Sequence, residues 1–334
     1  MKQDTILIKS YGFFGDILFT IPSVILLRQQ FPDKKIEFHI GFPQPYEIIR
    51  ETLRNVPNVE IHISPVDDPM PLIEDEVEYF KVYTMPECNR LLPPHIQYQR
   101  SIDPSIEKFL PFNLSVPRAA VERVNRFINR DTTYPTTTIG VVANWDRCTF
   151  KYSDEAMSAI KSSSVDDFLG HRFDLHLRRN ITNILRHIGN LCLDEKLKVK
   201  FQMLGFSYGQ SQRGQGLNSI STYTDTAALI TQCDLVIGPE GGMTNLAAGL
   251  NTPTVITTDF MWGLYGPLGI LQQLDDPQLG PEKFIPKRYP YAPHKSLLPN
   301  IADDQIAHHI VEFLTKEVLN PHNSTSYQKN QYAS

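Results

Sequence analysis

The chain has 334 residues, of which 41% are hydrophobic and 21% charged, as expected for a globular protein with enough apolar material for two domains. Its formal net charge of −5 argues against a general nucleic-acid binder, which would carry a basic surface. Cys88, Cys148, Cys192 and Cys233 form no CxxC pair. We therefore expect reduced thiols in a cytoplasmic protein, without a cysteine-based metal framework.

The longest apolar run, Ile17–Leu27, is too short to span a bilayer and contains Pro22. Charged residues at positions 4, 9 and 16 precede it or lie at its start, which argues against a secretory signal peptide. We expect a cytoplasmic protein, an interpretation that leaves docking on a membrane surface open.

The N-terminal half begins with a β-α-β pattern. Thr5–Lys9 predicts a buried strand, Ser10–Gly15 a glycine loop, Asp16–Phe31 a helix and Ile36–Ile40 a second strand. Such a unit predicts a parallel sheet with a right-handed connection. Ligands of these sheets bind beyond the carboxyl ends of the strands, which is where the glycine loop lies.

Asp16 has two interpretations. It is typical of a helix N-cap, where a carboxylate satisfies the first N–H groups and favours the helix dipole. It is also typical of a carboxylate at the mouth of a cleft that takes a proton from a substrate hydroxyl. The two roles are compatible.

Weaker patterns complete this half and lead into the next. The pattern predicts helices over Tyr46–Leu53 and Val116–Asn129, strands over Val59–Ser64 and Tyr79–Tyr83, and an interdomain linker over Asp131–Thr138.

The C-terminal half repeats the strand-loop-helix pattern. Ile139–Ala143 predicts a strand, Asn144–Tyr152 an irregular loop, and a helix follows from about Ser153. Lys151 lies just before that helix. It is either a surface lysine or the side chain that reinforces an anion site at a helix N-terminus.

A basic stretch follows at residues 171–188. We expect one amphipathic helix, whose apolar face is formed by Leu175, Ile181, Ile184, Leu185 and Ile188. A surface helix packed on the sheet is one interpretation, and contact with an anionic acceptor or with lipid head groups is the other. Its histidines, His171, His176 and His187, do not match a metal-binding spacing.

The most informative stretch is C-D-L-V-I-G-P-E-G-G-M-T-N-L-A-A-G-L-N-T-P-T-V, residues 233–255. It predicts a strand over Leu235–Ile237, a glycine turn, a helix over Met243–Leu250 that Asn251–Pro253 stops, and a strand over Val255–Thr258. Free N–H groups and a helix dipole meet at such a turn and favour an anion, most often phosphate. Tight turns in any doubly wound sheet also use glycine, so this alternative stays open.

The remaining elements follow the same pattern. We expect a strand over Lys198–Leu204, a helix over Thr224–Gln232, a closing helix over Ile301–Leu319 and a polar tail over 320–334.

Two motifs resemble those of the ADP-heptose:lipopolysaccharide heptosyltransferases, glycosyltransferase family 9. The first is G-D-I-L-F-T-I-P-S-V-I-L-L-R-Q-Q-F-P-D, which begins at Gly15, and the second is D-L-V-I-G-P-E-G-G-M-T-N-L-A-A-G-L-N-T-P-T-V, which begins at Asp234. The resemblance implies an α/β GT-B fold, with two Rossmann-like, doubly wound parallel-sheet domains facing a central cleft. The acceptor-binding domain would span 1–132 and the nucleotide-sugar-binding domain 138–319.

The resemblance also implies roles for individual residues. Asp16 matches the general base, and the acceptor-side loop would comprise Gly12, Phe13, Phe14 and Gly15. The donor-binding set would comprise Lys151, Glu240, Gly241, Gly242, Met243, Thr244 and Asn245. Glu240 stands where the family usually has Asp and Asn245 where it usually has His, so the sugar is left open.

The implied reaction is an inverting transfer of a heptose or other hexose-type sugar from a nucleotide-diphosphate donor, such as ADP-heptose, to a glycan or lipopolysaccharide-type acceptor. Neither a cofactor nor a metal ion is expected, because the helix terminus and basic side chains neutralise the leaving diphosphate. A non-catalytic nucleotide-sugar-binding protein and a GT-B-like epimerase are the alternatives. A lipid-linked acceptor would bring the enzyme to the inner membrane face, where residues 171–187 offer a docking surface.

Overall fold

A computed structural model of the chain describes residues 5–10, 14–41, 45–63, 78–81, 98–99, 102–106, 110, 112–127, 136–142, 150–151, 174–175, 181–205, 222–239, 241–257, 294–296 and 302–320. Within these ranges, no helix has the length and apolar character needed to cross a membrane.

Eleven strands and eight helices make up the described secondary structure. The strands are β1 (Thr5–Ser10), β2 (Lys35–Ile40), β3 (Val59–Ile63), β4 (Glu78–Lys81), β5 (Thr137–Val142), β6 (Phe150–Lys151), β7 (Asp174–Leu175), β8 (Val199–Leu204), β9 (Leu235–Gly238), β10 (Thr254–Ile256) and β11 (His294–Ser296). The helices are α1 (Phe14–Phe19), α2 (Ile21–Gln30), α3 (Tyr46–Thr52), α4 (Arg118–Phe127), α5 (Ile181–Asp194), α6 (Tyr223–Ile230), α7 (Gly242–Gly249) and α8 (Asp303–Phe313), which continues as a π-helical segment, Leu314–Leu319.

The strands form two main sheets. The first has the order β3-β2-β1-β4 and the second the order β11-β10-β9-β5-β8. Every described strand pair in these two sheets is parallel, which confirms the predicted parallel α/β class. Strands β6 and β7 form a separate antiparallel pair.

The chain divides into two compact units, each with one main sheet. The first comprises Met1–Asn129, Phe206–Thr231 and Asn245–Asn251, and the second comprises Arg130–Gly205, Gln232–Thr244 and Thr252–Ser334. The proposed division of the sequence at 132–138 stays a prediction. Thr137 and Thr138, however, begin β5 and do not belong to a linker as expected.

The core of the first unit is formed by alternate, apolar residues of its strands. Ile6 and Ile8 on β1 and Ile36, Phe38 and Ile40 on β2 are fully buried. Each such side chain contributes about 1.5–3 kcal/mol by leaving water. The intervening residues of β2 are half-buried polar side chains, so its two faces have different chemistry.

The core of the second unit lies between its sheet and helices α5 and α8. Ile139, Val141, Leu235 and Ile237 are buried on the central strands. They belong to one apolar cluster with residues of the two helices, which include Ile184, Ile188, Ile306 and Ile310. The β-branched run predicted at 235–237 is therefore an interior strand, buried on both faces.

The helix predicted over Asp16–Phe31 is wrong in one respect, because it is two helices. Thr20 separates them, and its hydroxyl donates to Ile17 O at 2.7 Å. Pro22 lies in the first turn of α2, where its missing N–H costs least. In one continuous helix the proline ring would clash with the preceding turn.

The helix predicted over 171–188 is also wrong at its start. It begins at Ile181 and continues to Asp194, whereas Leu175 lies in β7, paired with Phe150 of β6. The expected irregular loop 144–152 therefore contains a strand at Phe150–Lys151. The helix predicted from Ser153 lies outside the described residues. The other predicted elements with described counterparts agree to within about two residues at each end.

Candidate functional site

The site is built on the turn between β9 and α7. Strand β9 ends at Gly238, and a Cβ added there would lie 2.6 Å from Cβ and Cγ2 of Val142. Only glycine lets β9 approach β5 this closely. At the other side of the turn, Gly241 has a φ of +157°, a conformation that residues with side chains rarely adopt.

Thr244 holds this turn together. It is 1% exposed, and its hydroxyl oxygen accepts the N–H of Gly241 at 3.1 Å. The same hydroxyl donates to Gly241 O at 2.9 Å, with Pro239 O 3.2 Å away as a second acceptor. This is one half of a capping box, in which the third helical residue satisfies the N–H before the helix.

The cap decides which amides face a ligand. The first N–H groups of a helix have no intrahelical acceptor, and Thr244 already engages that of Gly241. The N–H groups of Gly242, Met243 and Thr244 remain at the positive end of the α7 dipole. The turn therefore has the donors and the charge of an anion site.

The helix behind the turn is well anchored. Met243 and Asn245 are largely buried, and Gly249 lies close to Phe112 and Leu114, whose N–H donates to Gly249 O at 2.7 Å. Asn251 stops the helix with a φ of 57°, as the sequence predicts. A short helix fixed at its C-terminal end keeps its N-terminal amides in one orientation.

Two polar residues at this sheet were not predicted. The Asp234 carboxylate accepts the N–H of Thr138 at 2.8 Å, and its own N–H donates to Thr138 O at 2.9 Å. Asp234, which begins the second motif, thus sets the register of β9 against β5. Thr257 continues from β10, where its N–H donates to Gly238 O at 2.8 Å. Its hydroxyl is buried, without a partner among the described residues.

Asp16 lies in the first turn of α1, not at its N-cap. The helix begins at Phe14, so Asp16 is its third residue and the N-cap interpretation is wrong. Helix α1 follows the carboxyl end of β1, at the edge of the sheet that the sequence predicts for substrate. Gly15 is buried within it, whereas Gly12 and Phe13 lie outside the described residues.

The other two predicted donor residues are Lys151 and Glu240. Lys151 lies in β6, where its backbone is paired with Asp174 of β7. The helix predicted to follow it lies outside the described residues, so this part of the expectation stays a prediction. Glu240 lies outside the described residues. The structure thus brings Gly241, Gly242, Met243, Thr244 and Asn245 together on one turn, and these residues form the candidate site.

No protein-family model matches the chain, and no curated protein sequence matches it. Solved structures do match. A glycosyltransferase family 9 protein from Veillonella parvula DSM 2008 matches with a TM-score of 0.52 and 12% sequence identity, over 99% of this chain and 92% of that chain. The ADP-heptose lps heptosyltransferase II of E. coli matches with a TM-score of 0.53 and 13% identity, over 95% of this chain and 99% of that chain. The predicted GT-B α/β fold class is confirmed.

Proposed function

We propose that the chain is an inverting glycosyltransferase that moves a sugar from a nucleotide-diphosphate donor to a glycan or lipopolysaccharide-type acceptor. The observation that carries this proposal is the Thr244-capped turn, which presents three amides at a helix N-terminus. The fold supports it, because two transferases share this fold over nearly the whole chain.

The anion turn would receive the donor diphosphate. The leaving nucleoside diphosphate gains negative charge as the sugar departs, and preorganised N–H groups stabilise that charge without a metal ion. Lys151 would add a positive charge if it reaches the same phosphates. We therefore propose that transfer needs no metal at the diphosphate.

Asp16 would act as the general base. In the proposed reaction it takes the proton of an acceptor hydroxyl while that oxygen attacks the anomeric carbon from the face opposite the diphosphate. One C–O bond forms as the bond to the diphosphate breaks, so the configuration at the anomeric carbon inverts.

ADP-heptose is the first donor to test, since the E. coli enzyme with this fold is named for it. Glu240 and Asn245 differ from the family pattern, and a different hexose-type sugar would be their consequence. A cytoplasmic location with peripheral contact at the inner membrane face belongs to the same proposal, because a glycolipid acceptor would be found there.

The turn can be tested by deleting one amide. Gly242 is the first residue of α7, a position at which proline is tolerated. Gly242→Pro removes the N–H, whereas the matched control Gly242→Ala keeps it. Loss of one hydrogen bond to a charged phosphate costs about 1.5–3 kcal/mol, or roughly ten- to 150-fold in Kd.

Titration calorimetry with ADP, UDP, GDP and CDP, in EDTA and then with Mg²⁺, measures this effect. We expect one nucleotide to bind in EDTA, with weaker binding in the proline variant and normal binding in the alanine variant. Equal nucleotide affinities in both variants would show that the diphosphate does not bind at this turn. Donor binding without transfer to any acceptor would favour the non-catalytic alternative, and a changed donor sugar would favour the epimerase.

A further inference from the structure

A polar cluster lies on one face of β2 and β3 in the first unit. Glu37 and His39 alternate with the buried residues of β2, and the parallel register pairs them with Glu60 and His62 of β3. Two carboxylates and two imidazoles therefore stand side by side. The signal is present in the sequence as Lys-x-Glu-x-His and Glu-x-His, because alternate residues of a strand share a face.

The two imidazoles are close enough to share a ligand. Their rings stack with centroids 4.6 Å apart and planes at 27°. One ligand atom from each of Glu37, His39 and His62 lies within 4.8 Å of the other two. Glu37 Oε2 is 3.6 Å from His39 Nε2, and two ligands of one tetrahedral ion with bonds of about 2.0–2.2 Å stand about 3.4 Å apart.

We propose that Glu37, His39 and His62 form a binding site for a divalent transition-metal ion. Two imidazole nitrogens and one carboxylate oxygen suit Zn²⁺, Co²⁺ or Ni²⁺, whereas Mg²⁺ and Ca²⁺ prefer oxygen ligands. Three protein ligands leave at least one coordination position for water or for another ligand.

Lys35 supports the carboxylate ligand. Its Nζ lies 2.8 Å from Glu37 Oε1 and 2.9 Å from Glu60 Oε2. This contact engages one oxygen of Glu37 and leaves Oε2 toward His39. Hydrogen bonds from outside the ligand set orient metal-binding carboxylates in this way.

The charges around the cluster cancel. Lys35, which lies beside both carboxylates, and Lys9 of β1, which is paired with His39 in the register, together balance the two negative charges of Glu37 and Glu60. Binding therefore depends on coordination by the imidazoles, which favours a transition metal over a hard cation.

The site is tested with the full-length chain, free of any affinity tag and stripped with EDTA. Calorimetric titration with ZnCl₂ should give one ion per chain, and CoCl₂ should give the visible absorption of a four- or five-coordinate ion. His39→Asn and His62→Asn should each weaken binding by at least about tenfold, because each removes one ligand nitrogen.

His309→Asn is the matched control, because His309 Nδ1 also faces a glutamate, Glu312, at 3.8 Å but lies on α8. The affinity of the His309→Asn variant for Zn²⁺ should equal that of the wild-type chain. Unchanged binding in a His39→Asn/His62→Asn double variant would overturn the proposal, as would absence of binding by the wild-type chain. Glu37→Gln keeps the shape of the side chain and repeats the test if a histidine variant unfolds. This site is independent of the proposed transfer reaction, since binding of the metal alone is measured.

Discussion

At the scale of single residues, Asp16 shows how position changes an interpretation. The sequence allows it to be a helix N-cap, a general base or both, but the helix begins two residues earlier, which removes the cap interpretation. A residue in the first turn is not needed to start the helix, so its removal should not unfold α1. The base hypothesis can therefore be tested with little structural cost.

Asp16→Asn should lower kcat by roughly 10²–10⁴-fold, because the amide cannot accept the hydroxyl proton. Donor affinity, measured by calorimetry, should not change. Asp33→Asn, at an exposed position after α2, is the control and should keep full activity. An Asp16→Asn enzyme that transfers sugar at the wild-type rate would show that another group is the base.

Thr244 marks a limit of prediction at this scale. The motif assigned its backbone amide to the site, but its side chain also builds the turn. The usual capping box has Ser or Thr before the helix and Glu or Gln as the third residue. Here glycine comes first and threonine third, so the local pattern gave no signal.

At the scale of elements, two glycines have opposite roles. Gly238 ends β9 where any Cβ would overlap Val142, whereas a Cβ at Gly189, inside α5, would meet no atom within 4 Å. The first glycine permits close packing of two strands. The second only adds backbone entropy to the unfolded chain.

Gly238→Ala should therefore destabilise the protein by about 1–3 kcal/mol through overpacking, and Gly189→Ala should stabilise it by about 0.5–1 kcal/mol. Chemical denaturation of both variants measures the two changes. Gly189→Ala is the control for Gly238→Ala, because it makes the same substitution at a site where the added Cβ meets no atom within 4 Å. A stabilised Gly238→Ala variant would contradict the close approach of β9 and β5.

The misplaced start of α5 has a physical reason. The apolar periodicity of residues 171–188 is compatible with one long helix, yet Leu175 pairs with Phe150, 25 residues earlier in the sequence. A strand of two residues is too short to show a hydrophobic period. Only its pairing with a strand distant in the sequence specifies it. The residue before α5 in the sequence, Asn180, is of a type preferred at N-caps and was the available signal.

At the scale of the whole molecule, the sequence predicted the parallel α/β class and most of the described elements. Apolar runs such as Leu235–Ile237 and breaks such as Asn251–Pro253 are enough for this, because burial and turn chemistry are local requirements. They also explain how a fold persists at 12–13% identity. The order of strands, for example β4 beside β1, depends on long-range pairing and was not predicted.

The two described cysteines have a practical consequence, since both lie in the second unit. Burial raises the pKa of the Cys233 thiol to about 12, and it raises the pKa of Cys192 as well. Only the thiolate reacts with alkylating reagents, so these thiols should be labelled only when the unit opens. The labelling rate then reports the free energy of that opening.

In a Cys88→Ser/Cys148→Ser variant, alkylation at pH 8 should be slow in buffer and fast in denaturant. A nucleotide that binds the closed second unit should slow it further, by about 100-fold at 100 times its Kd. Mass spectrometry of the two peptides measures this protection, and rapid labelling of the native chain would contradict the burial of both thiols. The alkylation rate of these cysteines thus reports how much of the protein has nucleotide bound, and it can be measured before any acceptor is identified.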